Sequence, residues 1–279
     1  MKPFVLKKTR DLGDLISDTF TYIRIHFKSL SLSLLFFALP ILIISGFFMG
    51  NSFTGLMNAT LAEGQSPQAN IEFVWKMLTG IFFMSVSYLL VQAIVYKHIA
   101  LVNEDRDSIS PKDLLDELLP NILGLLGISM VTGFIVAAGF MLFFFPGIYL
   151  AIKLILAPAI YIIDDDTSAM KALGESWRAT DGYWWFTMGF SAVMYFIVSF
   201  ASNIFVIPFY ISMFFIGFTI GDTSEGVIGA GVGIFYGLLI LATSLLSSIT
   251  YISLALLYFN LGERKDASNL RAKIEELGE

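Results

Sequence analysis

Fifteen of the seventeen Lys and Arg residues stand in four clusters, and pairs of long apolar runs separate one cluster from the next. The clusters are Lys2, Lys7, Lys8, Arg10, Arg24 and Lys28; Lys97, Arg106 and Lys112; Lys171 and Arg178; and Arg264, Lys265, Arg271 and Lys273. Only Lys76 and Lys153 remain, and the stretches Gly50 to Asn70 and Phe205 to Tyr236 carry no basic residue. Short loops rich in Lys and Arg stay in the cytoplasm and basic-poor ones are translocated. The pattern therefore predicts an all-α polytopic membrane protein with six transmembrane helices and both termini cytoplasmic. A hydrophobic content of 56% cannot be hidden in a soluble domain of 279 residues, because such domains are nearer 45–50% apolar.

An apolar helix needs about 20 residues to cross a hydrocarbon core of roughly 30 Å. The predicted spans are Leu30 to Met49, kinked at Pro40; Val74 to Ile99; Ile122 to Phe145; the short Ile148 to Ile163; Trp184 to Phe209, extending past Pro208 to Ile216; and Val227 to Phe259. Pro146-Gly147 reads as a tight exterior turn between the third and fourth. Residues 1–29 form a cytoplasmic amphipathic segment, 30–260 the six-helix domain and 261–279 a cytoplasmic tail. No cleaved signal peptide is read at the start.

Each odd-numbered span is preceded by a short amphipathic stretch, which adds cytoplasmic interfacial helices to the expected fold. In the first, Leu12, Leu15, Ile16, Phe20, Ile23 and Phe27 recur at helical spacing, with Asp11, Asp14 and Asp18 early and Arg24 and Lys28 late, as the helix dipole favours. In the second, Ser110 caps, Pro111 takes the first helical position and Leu114, Leu115, Leu118 and Leu119 share a face. In the third, Ala169, Met170, Leu173 and Trp177 make the stripe. The stretches begin near residues 11, 111 and 167, too unevenly for a tandem repeat of fixed period.

Little in the chain points to chemistry. Cysteine is absent, which removes disulfides, thiol nucleophiles and thiolate metal sites. The net charge of −6 with no basic face argues against nucleic acid as a partner. The two histidines, His26 and His98, lie at expected membrane boundaries, outside any ligand or nucleophile spacing. They are read as packing or headgroup residues. Asp164-Asp165-Asp166 is a solvated span terminus rather than a metal loop, since consecutive helical acids point in different directions. No enzyme activity, metal or cofactor is expected.

Lys153 lies within the short fourth span, and an ammonium there is costly unless it snorkels or pairs, which makes it a functional candidate. The favoured reading sends it along its own stem to the outer interface beside Tyr149. The other gives it a partner inside the membrane, Asn203, Gln92, Tyr161 or a lipid headgroup. Gly226, Gly229, Gly233 and Gly237 fall on one face of the sixth span, where small residues permit close helix packing, more readily within one chain than between copies.

The segment from Pro146 to Trp185, PGIYLAIKLILAPAIYIIDDDTSAMKALGESWRATDGYWW, resembles the membrane domain of the glycerophosphoryl diester phosphodiesterase family and its relatives among bacterial multi-pass proteins. The similar elements are Pro146-Gly147-Ile148-Tyr149, Lys153, the acids from Asp164 to Asp166, Ala172-Leu173, Ser176-Trp177, and Gly182 before Trp184. DLGDLISDTFTYIRIHFKSL and LLYFNLGERKDASNL look like the family's first and last segments. The chain departs from the pattern at Asn260 and Gly262, where the family places an acid and a base. Its 279 residues are taken up by six spans, so the phosphodiesterase activity is not implied. The resemblance implies a multi-pass protein of a bacterial cytoplasmic (inner) membrane. The resulting expectation is a non-enzymatic scaffold or lipid-interacting component of a membrane assembly, with membrane lipids and other membrane proteins as partner classes. The alternative is a small permease or lipid/solute transporter with a polar site near Lys153, its helices broken at Pro40, Pro158 and Pro208.

Overall fold

The computed structural model describes residues 4–61, 67–104, 106, 109–164, 167–219 and 225–278, the side chains of 53–70, 72, 212–213, 215–233 and 268–279 apart. Among the described residues there is helix and no strand. The helices are α1 (Leu12–Ser33), α2 (Leu39–Leu61), α3 (Pro67–Asn103), α4 (Pro111–Leu118), α5 (Ile122–Leu142), α6 (Phe144–Leu154), α7 (Ala157–Ile163), α8 (Ala169–Thr180), α9 (Trp184–Thr219) and α10 (Glu225–Gly278). Six stretches are long and apolar enough to cross a membrane: Leu12–Ser52, Phe73–Asn103, Pro111–Leu142, Phe144–Ile163, Trp184–Ile211 and Ile234–Ala267.

Local chemistry explains the breaks. Pro40 has no N–H to give the carbonyl of Phe36 and its ring would crowd that group. The strain is taken up one turn earlier by a π-helical turn over Leu34–Ala38, with the Leu39 N–H bonded to the Leu34 carbonyl. The first amphipathic stretch and the first span are thus one nearly continuous helical run. Pro158 similarly withholds a donor from Leu154, and the fourth span breaks at Ile155 and Leu156 before restarting as α7 with proline in its first turn.

Several sequence expectations need correction. Pro146-Gly147 is not a turn: both residues lie in the first turn of α6, and the chain reverses at Phe143, the single extended residue between α5 and α6. Gly139 and Gly147 allow that reversal, since a Cβ on Gly147 would overlap the ring of Phe140 and one on Gly139 would lie 3.0 Å from the Gly147 Cα. In α8, capped by Ser168 as the β-region backbone there permits, the buried line is Ala172, Leu173, Ser176 and Thr180. Met170 and Trp177 of the expected stripe are exposed. In α1 the buried line is Leu15, Thr19 and Tyr22, while Phe20 and Phe27 face outward. In the second stretch the start is as expected, with Ser110 accepting from the Asp113 N–H, but only Leu114 and Leu118 of the expected face are buried, while Leu119 lies beyond α4 and is exposed.

Two compact units divide the chain. One comprises Met1–Ser31, Gln92–Phe196 and Ile249–Glu279, and so holds all of α4 to α8. In it α1 meets α3 through His98, which lies 2.7 Å from the Tyr22 hydroxyl by Nδ1 and 2.8 Å from the Ser29 hydroxyl by Nε2. A hydroxyl can donate or accept, so either tautomer is satisfied. The other unit comprises Leu32–Val91 and Ile197–Ser248. There α2 and α10 approach backbone to backbone at Gly46 and Gly237: a Cβ on either would sit 2.9 or 2.8 Å from the other's carbonyl oxygen. Gly237 is therefore an intrachain packing residue, as its helix face suggested; the side-chain surroundings of Gly226, Gly229 and Gly233 lie outside the described residues. Stacked rings flank the contact, Phe48 on Phe83 at 5.9 Å and Phe209 on Phe235 at 5.8 Å.

Candidate functional site

Lys153 is the penultimate residue of α6, just before the break at Ile155 and Leu156, and it does not snorkel to the outer interface. Its side chain is 2% exposed, and Nζ donates to Asp181 Oδ1 at 2.9 Å. The reason is tertiary: α8 doubles back along α6 and α7 and delivers Asp181, its C-cap residue, to the ammonium. The ring of Trp177 lies 5.1 Å from Nζ and that of Tyr149 5.8 Å, so two π faces cover the charge where the carboxylate does not. Ser176 donates to the Lys153 carbonyl at 2.8 Å and fastens the end of α6 to α8. Trp184, the first residue of α9, stacks on Tyr149 at 5.9 Å, and its indole N–H donates to the Tyr149 carbonyl at 3.4 Å.

The site is closed by the last cationic cluster. Lys265 donates to the Arg178 carbonyl, and the Arg264 guanidinium lies over the Phe186 ring at 4.6 Å and the Tyr183 ring at 6.0 Å. Two ammonium groups thus gather at the C-terminal end of α8, where the helix dipole favours positive charge. Asp181 is itself 75% exposed. The hydrogen bond and charge of Lys153 hold its carboxyl below the usual carboxylate range, with Lys265 adding a smaller share.

None of the three side chains expected as partners of Lys153 pairs with it. Gln92 stands on α3, and Asn203, on α9, gives its side-chain amide to the Ser199 carbonyl one turn back at 2.8 Å. Tyr161 directs its hydroxyl against Gly124, which has no Cβ to obstruct it. Asp164 accepts from the Tyr258 hydroxyl at 2.7 Å, and Asp165 and Asp166 lie outside the described residues.

Sequence reasoning missed a second polar centre. Arg10, 1% exposed, gives Nε to Asp18 at 2.6 Å and its two terminal nitrogens to the carbonyls of Leu6, Lys8 and Val5. Its own N–H donates to the buried Asn260 at 2.6 Å, and Arg264 donates to its carbonyl. Residues 250 positions apart therefore tie the N-terminal segment to the end of the last span. The position where the family resemblance anticipated an acid is a neutral amide acceptor. The one available signal was a lone Asn after a run of apolar residues.

The other unit holds a cleft of about 390 Å³ lined by Ile204, Phe205 and Pro208 of α9 and Phe235, Leu238, Leu239 and Ala242 of α10. All seven side chains are apolar. Compared with family models, curated proteins and solved structures, the chain matches none of them.

Proposed function

We propose that this integral membrane protein is a non-enzymatic, lipid-interacting scaffold of a bacterial cytoplasmic membrane, with both termini on the cytoplasmic side. The observation that carries the reading is the internal pairing of Lys153 with Asp181, which commits the one basic group of the fourth span to holding α8 in place. The apolar cleft beside Pro208 supports it, since its lining suits an acyl chain better than a polar solute. The resemblance to bacterial multi-pass membrane domains belongs to the same proposal.

Phospholipid retained after purification in mild detergent tests this. Filling the cleft with Ala242→Phe should reduce the retained phospholipid, and Lys153→Met should leave it unchanged. Equal retention by wild type and Ala242→Phe refutes lipid binding in the cleft. The permease reading is favoured by one feature, the helix break at Ile155 and Leu156 close to Lys153, because broken spans mark transporter sites. Solute flux in proteoliposomes that Lys153→Met abolishes without lowering the melting temperature would replace the scaffold reading with that one.

A further inference from the structure

We infer that α5 and α6 form a re-entrant hairpin, entering and leaving the membrane by the same charged face and burying its phenylalanine-rich tip among the acyl chains of that leaflet. The observations all lie within one compact unit and stand apart from the scaffold reading.

The first is depth. Tyr149 stacks on Trp184, the start of α9, and the next neighbours of that start are Arg264 and Lys265 through Tyr183, Phe186 and the Arg178 carbonyl. Arg178, Asp181, Arg264 and Lys265 mark a water-facing level, because four charged groups there would be costly in hydrocarbon. Tyr149 is at that level. The reversal at Phe143 is six residues away along α6, or about 9 Å at the helical rise. A hydrocarbon core is roughly 30 Å thick, so the tip cannot reach its far side. The other end of the same arm returns as well: Asp164 is bonded to Tyr258, six residues, or about 9 Å, from Arg264 along α10. In a through-going span, Tyr149 and Asp164 would stand at opposite faces.

The second is the chemistry of the turn. Between Thr132 and Lys153 the only polar side chain is the Tyr149 hydroxyl. The other two exterior-type connections carry Asn51, Glu63, Gln65 and Gln68 in one case and Asp222, Ser224 and Glu225 in the other. At the tip Met141 is 90% and Phe143 70% exposed, with Leu142, Phe144 and Phe145 also uncovered. Water would penalise such a loop, and hydrocarbon would not.

The third is backbone accounting, since unpaired peptide groups are excluded from lipid. Only Phe143 leaves helical geometry. Its N–H bonds to the Gly139 carbonyl at 3.1 Å, its carbonyl accepts from Gly147 at 3.4 Å, and Pro146 has no N–H to lose. Of the four donors that open α6, those of Phe144 and Phe145 are left over, and of the four carbonyls that close α5, that of Gly139 is paired by Phe143 and those of Phe140, Met141 and Leu142 are left over, all within one turn of the tip.

The chain has no cysteine, so full-length Phe143→Cys and Lys171→Cys can be labelled in phosphatidylcholine proteoliposomes without background. Lys171, exposed on α8, reports the charged face. Phe143→Cys should resist an impermeant maleimide from either side, while Lys171→Cys reacts from one. A bimane attached to the Phe143→Cys thiol should lose most of its fluorescence when nitroxide phospholipid is added to the Lys171 leaflet alone. Met141→Cys gives the same readout should Phe143→Cys not fold. Reaction from the side opposite Lys171→Cys would mean a crossing pair and overturns the inference. Reaction from the same side, placing the tip in water, also overturns it. So does a tip that is neither reactive nor quenched, which a second copy or another protein must then cover.

Discussion

Adding one methyl group at Gly237 should separate two helices that now touch backbone to backbone. The new Cβ would meet the Gly46 carbonyl oxygen at 2.8 Å, and such contacts become ordinary only from 3.4 Å, so α2 and α10 must part by about 0.6 Å. No flexible side chain can yield, because the obstacle is main chain. Overpacking of this kind costs about 1–3 kcal/mol. Alanine also recovers up to ~1 kcal/mol of helix propensity over glycine, which would mask part of the loss. Gly133→Ala is the control: it gains the propensity at a position where a Cβ meets nothing within 4 Å. At about 2–4 °C per kcal/mol, Gly237→Ala should melt roughly 2–12 °C below Gly133→Ala. Gly46→Ala should behave alike, and the double variant should fall short of the sum because both methyls enter one gap. The assay is thermal unfolding in a single detergent, followed by intrinsic fluorescence. A Gly237→Ala protein that melts at or above Gly133→Ala would refute the close contact.

The Lys153 pair is asymmetric, so its two deletions should differ: Lys153→Met releases an already exposed carboxylate to water, whereas Asp181→Asn strands a buried ammonium. Asp181→Asn should therefore lower the melting temperature more, and equal melting would contradict the pairing. Because the folded Asp181 carboxyl lies below its ordinary value near 3.9, the stability it contributes is fully present above about pH 4–5 and is lost as pH falls through the folded value. The melting difference between wild type and Asp181→Asn should thus be flat from neutrality to about pH 5 and shrink only in stronger acid. For topology, cysteines at Ser66 and Ser224 should react with an impermeant reagent outside intact cells and those at Ser108 and Ser268 should not, as the basic clusters require. Labelling of Ser268→Cys from outside would reverse the orientation.

The sequence by itself determined what is local and additive. Apolar runs of span length need only their own composition to demand lipid, and the six candidate helices appear where those runs lie. Caps are similarly local, so Ser110 with Pro111 placed the start of α4 to the residue. Gly237 was legible because a small-residue face is a property of one helix, but its partner Gly46 was not, since nothing in α10 names the helix that will meet it. The turn was misplaced because a Pro-Gly pair suits both a turn and the opening of a helix, and only the glycine contacts at Phe140 and Gly147 decide between them. The cost of an ammonium at Lys153 was legible in the sequence, yet its fate depended on α8 folding back to supply Asp181 from 28 residues away. That Arg10 would pair with Asn260 was not legible for the same reason, at 250 residues' separation. The desolvation cost of a polar group can be read from the chain, whereas the group that offsets it is chosen by helix packing, which only the tertiary structure decides.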